Sequence, residues 1–178
     1  MKKLLSILFL STFAFVSCSD DGEIGPRGPQ GPPGEDGAYV VGISYEYDVE
    51  FQYDEESNIY TSLLEFPQTE EPSDAILVYR LETINNIDTW NLIPKSYFLD
   101  EGILQISYNH TDEDVQLLIE ADFDINDLNS SFTQDQYYRV VVLPSDFEQG
   151  SVDTSNMHAV LDALNLQENE IIKIKNSK

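Results

Sequence analysis

From Val41 to Tyr53 an apolar or aromatic residue fills every odd position, and Gly42, Ser44, Glu46, Asp48, Glu50 and Gln52 fill the even ones. A period of two held this long marks an extended strand with one buried face, because a helix would scatter the same residues around its circumference. The sequence therefore predicts one long strand over 41–53. The loop Asp54–Asn58 then turns the chain into Ile59–Phe66 as its hairpin partner.

The remaining C-terminal part has the same punctuation. Pro67 and Pro72 bracket an acidic connection expected to be exposed. Ala75–Leu81 holds the unbroken run Ile76, Leu77, Val78 and Tyr79, and Val140–Leu143 is similar, so both are expected in the middle of a sheet covered on both faces. Shorter strands are expected at Thr89–Ile93, Ser96–Leu99, Ile103–Tyr108, Val115–Phe123 and Glu170–Lys175, with Asp100, Glu101 and Gly102 as a tight turn. One segment departs from this rule. Met157, Val160, Leu161 and Leu164 form a single helical stripe, with Ser155 as the expected N-cap and an open end of the sandwich as the expected packing surface. Eight or nine strands and one short C-terminal helix give an all-β fold, a single antiparallel β-sandwich-like head over 38–178.

Ahead of the head, glycine recurs at 22, 25, 28, 31, 34 and 37, with proline at 26, 29, 32 and 33. Only a hydrogen side chain fits the axis of a triple helix, and proline presets polyproline II dihedrals. Two readings of this 22–37 stem stay open. One is a short triple helix nucleated by a trimeric head or by membrane crowding; the other, favoured, is a stiff monomeric spacer. Five triplets alone do not offset an ordering cost of about 1–2 kcal/mol per residue. In either form the stem reaches about 50 Å at ~3.1 Å per residue.

Residues 1–17 open with Lys2 and Lys3, followed by an apolar run from Leu4 to Val16. As a helix this run spans only about 20 Å, against roughly 30 Å of hydrocarbon, so it reads as a signal peptide and not a permanent span. Phe15, Val16, Ser17 and Cys18 resemble the lipobox of bacterial lipoproteins, departing from it at Phe15, where that pattern prefers Leu. The resemblance implies that Cys18, the sole cysteine, carries the lipid and is the membrane partner. The acidic tether that follows, 18–21 with Ser19, Asp20 and Asp21, looks like the export signal of surface lipoproteins of Bacteroidota. Outer-membrane, lipid-anchored, cell-surface exposure is the expectation, with a periplasm-facing tether as the alternative.

Chemistry is harder to find. With 33 Asp and Glu against 9 Lys and Arg the net charge is −24, which argues against nucleic acid. One cysteine leaves no disulfide framework, cysteine zinc cluster or dithiol pair. No glycine-rich dinucleotide or phosphate loop occurs, and the two histidines, His110 and His158, read as solvated residues and not as members of a hydrolase triad. The expectation is a non-enzyme with no catalytic residues and no cofactor, calcium being the alternative. Asp122, Asp124 and Asn126 occupy the first, third and fifth positions of an EF-hand-like loop, but Asp127 stands where glycine is required and Thr133 where a bidentate Glu is required. Asp112, Glu113 and Asp114 make a second acidic turn. Trp90 is expected in the core, with stacking on a sugar as the alternative.

Taken together, the short signal, Cys18, the acidic tether, the triplets ending in GEDG and a β-rich head resemble the collagen-like-repeat lipoproteins of Bacteroidota. The resemblance spans the chain, is specific over its first forty residues, and includes Ile76–Trp90 and Tyr137–Asp146 in the head. It implies a cell-envelope lipoprotein with no established activity and carries over no catalytic residue. The functional expectation is a stem presenting a non-catalytic sandwich for binding or envelope organisation, with an unidentified protein or glycan ligand and a homotrimer through stem and head as candidate partners. A calcium-dependent or carbohydrate-binding module is the alternative.

Overall fold

The alternating segment does not stay in one sheet. In the computed structural model, which describes residues 42–147 and 152–175, it divides into β1 (Ile43–Val49) and β2 (Gln52–Asp54), which belong to different sheets. The crossing lies at Glu50 and Phe51, where the Phe51 amide donates to the Thr133 carbonyl at 2.9 Å. Val49 and Phe51 are both buried. The alternation survives the crossing because the inner faces of both sheets look onto one core, so a period of two cannot mark where the sheet changes. The signal segment 1–17, Cys18 with its tether 18–21 and the stem 22–37 lie outside the described residues.

The other elements are β3 (Ile59–Glu65), β4 (Ala75–Ile84), β5 (Ile87–Leu92), β6 (Lys95–Phe98), β7 (Ile103–His110), β8 (Asp114–Ala121), the one-turn α1 (Ser130–Thr133), β9 (Gln136–Leu143), α2 (Met157–Ala163), a 3-10 turn (Glu168–Glu170) and β10 (Ile172–Lys175). The first sheet runs β10-β1-β9-β4-β5 and the second β2-β3-β8-β7-β6. Every pairing is antiparallel except β1 with β10. This is the expected all-β sandwich. The β2–β3 hairpin forms as the sequence predicts, with its loop shortened from 54–58 to 55–58 because Asp54 still pairs with Ile59. Thr83 to Asp88 make a second hairpin, whose two tip residues Asn85 and Asn86 have φ of 53° and 63°, the left-handed pair that a two-residue turn requires and asparagine tolerates.

Strands β4 and β9 are central and apolar on both faces, as expected. Ile76, Val78, Val140 and Val142 face the inter-sheet core with Tyr45, Tyr47, Leu104, Ile106, Leu117 and Ile119. Tyr79, Val141 and Leu143 face the other way and form a second cluster with Met157, Val160, Leu161 and Leu164. Helix α2 therefore covers the outer face of the first sheet, not an open end of the sandwich as expected. The reason is the double-faced apolarity of β4 and β9: each large apolar side chain left in water would cost about 1.5–3 kcal/mol, and the stripe of α2 removes them from it. The N-cap is Asn156, whose side chain accepts from the Ala159 amide at 3.3 Å, while Ser155 instead bonds Asp153 at 2.7 Å.

The ends of the sandwich differ. Ile43 and Ile76 both pair with Val142, and the Tyr108 hydroxyl donates to the Ile76 carbonyl at 2.7 Å, so the start of β1, the start of β4 and the end of β7 share one end. The 55–58 turn, the loop after β8 and the tip of the β4–β5 hairpin lie at the other.

Candidate functional site

The hollow at that second end encloses about 570 Å³ and is lined by Tyr53, Glu55, Asn58, Asp122, Phe123, Asp124 and Asn126, with Ala121 at its edge. Asn58 organises it. Its own φ of 52° ends the turn, its Oδ1 accepts from the Tyr53 hydroxyl at 3.1 Å and the Ile125 amide at 3.2 Å, and its Nδ2 donates to the Phe123 carbonyl at 3.1 Å. One asparagine thus locks the β2–β3 turn to the loop after β8. Tyr53 leans on Tyr60 with ring centroids 5.0 Å apart, and Tyr60 donates to the Asn126 carbonyl at 3.1 Å.

The three residues singled out as metal ligands, Asp122, Asp124 and Asn126, all line this hollow. Part of their capacity is already committed. Asp122 Oδ1 accepts from the Ile103 amide at 2.8 Å and Asp124 Oδ1 from the Asn126 amide at 3.0 Å. Of the positions that depart from the calcium-loop pattern, Asp127 is exposed and Thr133 is buried in α1. Among the described residues no three His, Cys, Asp or Glu side chains converge as a metal-binding group. What the hollow offers is two aromatic side chains beside carboxylate and amide oxygens, a surface suited to hydrogen bonding and stacking.

The second acidic turn is occupied with its own structure. Thr111 Oγ1 accepts from the Glu113 and Asp114 amides at 3.1 and 3.2 Å and donates to Asp114 Oδ1 at 2.9 Å. His110 ends β7 and His158 stands on α2, both exposed. Trp90 is half-buried in the outer layer against the second cluster, with Arg139 Cζ 4.2 Å from its ring centroid.

Positive charge is drawn into internal pairs. Arg80 and Lys95 hold Glu82, with Lys95 Nζ at 2.6 Å, while Arg139 and Lys173 both hold Glu46 at 2.8 Å. Burial pushes the Glu46 and Glu82 carboxyls up, and their cationic partners outweigh it, so both sit below the ordinary value of 4.5. Tyr97 is pushed up to about 12 by burial and by its hydrogen bond to Glu82.

The sequence reading missed Glu70, Tyr53 and Asn58. Glu70 falls in the acidic connection expected to be exposed, yet it is 7 % exposed, because its amide donates to the Asp112 carbonyl at 2.8 Å and its carboxylate takes the Tyr45 hydroxyl at 2.5 Å. For Asn58 a signal was present: an asparagine closing a short turn is the residue type that tolerates positive φ. Comparison with family models, with curated proteins and with solved structures finds no match to this chain.

Proposed function

We propose that this chain is a surface-exposed outer-membrane lipoprotein whose collagen-like stem presents a non-catalytic β-sandwich for binding or envelope organisation. The observation that carries the presentation role is the polarity of the head. Strand β1 begins at one end, and the hollow of Tyr53, Asn58, Phe123 and the three acids opens at the opposite end. The first described strand of the head thus starts at the end away from that hollow. The pairing of Arg80, Lys95, Arg139 and Lys173 with carboxylates supports the same reading, since it leaves the other acids to form an acidic exterior that stands off anionic lipid.

The test has two parts. Metabolic labelling with a palmitate analogue should tag the chain, Cys18→Ala should abolish the tag, and protease added to intact cells should remove the head. An untagged chain, or a head protected in intact cells, overturns the anchoring or the exposure respectively. The hollow supports a second reading, a calcium-dependent or carbohydrate-binding module, because it sets Tyr53 and Phe123 beside Asp122, Asp124 and Asn126. That reading expects a rise in Tm with calcium that a chelator reverses, or with a neutral oligosaccharide, in each case lost in Asp124→Ala.

A further inference from the structure

Among the described residues the two sheets end in four edge strands, β10 and β5 in the first and β2 and β6 in the second. An edge strand offers unpaired backbone N–H and C=O groups to any extended chain, and folded proteins blunt it with short length, lysine or proline. Three of the four are blunted. Strand β2 has three residues, β6 has four, begins at Lys95 and follows Pro94, and β10 has four, two of them Lys173 and Lys175. Strand β5 is the exception, six residues from Ile87 to Leu92 with neither lysine nor proline. The phase of its ladder is fixed at one end by the two-residue turn and at the other by the Ile93 amide, which donates to the Val78 carbonyl at 3.0 Å. Backbone groups of successive residues point to opposite sides of an antiparallel strand. Ile87, Thr89 and Asn91 therefore bond to β4. The N–H and C=O groups of Asp88, Trp90 and Leu92 point away from it, where no strand among the described residues pairs with them. The side chains are equally incomplete: Ile87 is 65 % exposed on one face, and Trp90 and Leu92 are half-buried on the other, against the second cluster.

We propose that the β5 edge takes up an extended, cationic segment of a partner protein as a sixth strand of the first sheet. Main-chain bonds to Asp88, Trp90 and Leu92 supply the affinity, and the side chains beside them select the segment. Asp88 is the one charged residue of β5. Its Oδ1 accepts from the Thr83 hydroxyl at 2.6 Å, and the cations of the adjoining β4 and β6, Arg80 and Lys95, are already held by Glu82. An added strand sets one residue directly opposite Asp88 on the same face, where Lys or Arg is favoured and an acid is disfavoured. Apolar residues suit the positions opposite Trp90 and Leu92, whose exposed surface they cover. A second copy of the chain fits this edge less well. With no Lys or Arg in β5, pairing the strand with itself leaves Asp88 without a cation in any register, between two chains that each carry a net charge of −24.

The test adds three capped peptides to the full chain and follows amide hydrogen exchange. The first is Val-Thr-Val-Thr-Lys-Val, written to run antiparallel to β5 so that its lysine falls opposite Asp88; the second has Glu for that Lys, and the third has Pro for the middle Val. In the free chain the amides of Asp88, Trp90 and Leu92 should exchange fast and those of Thr89, Asn91 and Ile93 slowly. The lysine peptide, at ten times its Kd, should slow the first three about tenfold and leave the others unchanged. The glutamate peptide should bind about fivefold or more weakly, and the proline peptide, lacking the N–H that meets Trp90, should protect none of the three. Asp88→Lys, an exposed change, should reverse the order of the lysine and glutamate peptides. Equal affinity of those two peptides overturns the charge assignment, and saturable binding without protection of Asp88, Trp90 and Leu92 overturns the edge. Failure of the lysine peptide to bind overturns both. Protection of the same three amides in the free chain, rising with protein concentration together with molar mass, assigns the edge to a second copy and overturns the partner.

Discussion

Arg139 sits over the ring of Trp90, its Cζ 4.2 Å from the ring centroid, and from that position it grips Glu168 through both Nη atoms at 2.9 and 2.8 Å and Glu46 through Nε at 2.9 Å. A single residue of β9 thus ties β1, β5 and the 3-10 turn before β10 into one outer layer.

Arg139→Ala is expected to cost about 3 kcal/mol or more, because it strands Glu46 in a largely buried place with only Lys173 beside it. Trp90 is the only tryptophan, so its emission reports the same event. Urea melts should show the loss, and the native emission should move to the red. Arg139→Lys should recover part of the stability and little of the emission, since a point charge cannot both stack on the ring and fork to Glu168. Unchanged emission in Arg139→Ala would mean that the ring is covered by something else.

Gly42 sits where a Cβ would come within 2.6 and 2.8 Å of the two Cδ atoms of Leu164. Leu164 is buried in the second cluster and has little room to yield. Gly42→Ala is expected to destabilise by about 1–3 kcal/mol, the usual scale of overpacking. Leu164→Ala alone should cost about 2–5 kcal/mol through the cavity it leaves. In the double variant the alanine methyl enters that cavity, so the two losses should add to less than their sum, a coupling that denaturant melts of the four proteins measure.

Much of this architecture is legible in the sequence. The β2–β3 hairpin and the central places of β4 and β9 follow from local pattern, because alternation reports one buried face and the run Ile76–Tyr79 reports two. The parts that are not legible depend on what lies across the chain. Val49 and Phe51 keep the same alternation on either side of a change of sheet, and the stripe Met157, Val160, Leu161 and Leu164 shows that α2 has a buried face without naming the surface it meets. Glu70 reads as one more acid in an acidic loop until Tyr45 and Asp112, far away in sequence, are placed against it. The pair Asn85–Asn86 was readable: two residues that tolerate positive φ between Ile84 and Ile87 mark the tip that joins β4 to β5.

The pH range of stability follows from the same buried groups. Glu46 and Glu82 have folded values below 4.5, so at mildly acid pH the folded state binds fewer protons than the unfolded one. Their contribution is fully present above about pH 4.5 and is lost as the pH falls through the lowered folded values. Lys95→Met, which removes the closest cation from Glu82, should flatten the dependence of urea midpoints between pH 5 and 3. At the alkaline end Tyr45, Tyr47, Tyr79 and Tyr138 are raised above 10, chiefly by burial. The unfolded chain ionises these phenols first, so stability holds below pH 10 and falls as pH rises beyond it. Difference absorbance should show a fraction of the ten tyrosines ionising only together with the loss of circular dichroism. Complete ionisation in the folded state would contradict this.

Gly102 links the β6–β7 turn to the hollow. It has φ of 151°, and a Cβ there would stand 2.1 Å from Asp122 Oδ1, the atom that accepts the Ile103 amide at 2.8 Å. The turn itself is closed by mutual backbone bonds between Leu99 and Gly102 at 2.9 and 3.3 Å. Alanine at this position meets both an unfavourable dihedral and a blocked volume, for an expected loss of about 1–3 kcal/mol. The displaced carboxylate belongs to the wall of the hollow, so the amide shifts of Phe123 and Asp124 should move in Gly102→Ala while those of Thr111 and Asp112, at the other end of β7 and β8, stay in place. Asp122→Ala removes the obstructing oxygen together with the bond to Ile103, and the double variant should therefore lose less than the two single variants combined. Full additivity would show that the strain lies in the turn alone and that Asp122 does not transmit it.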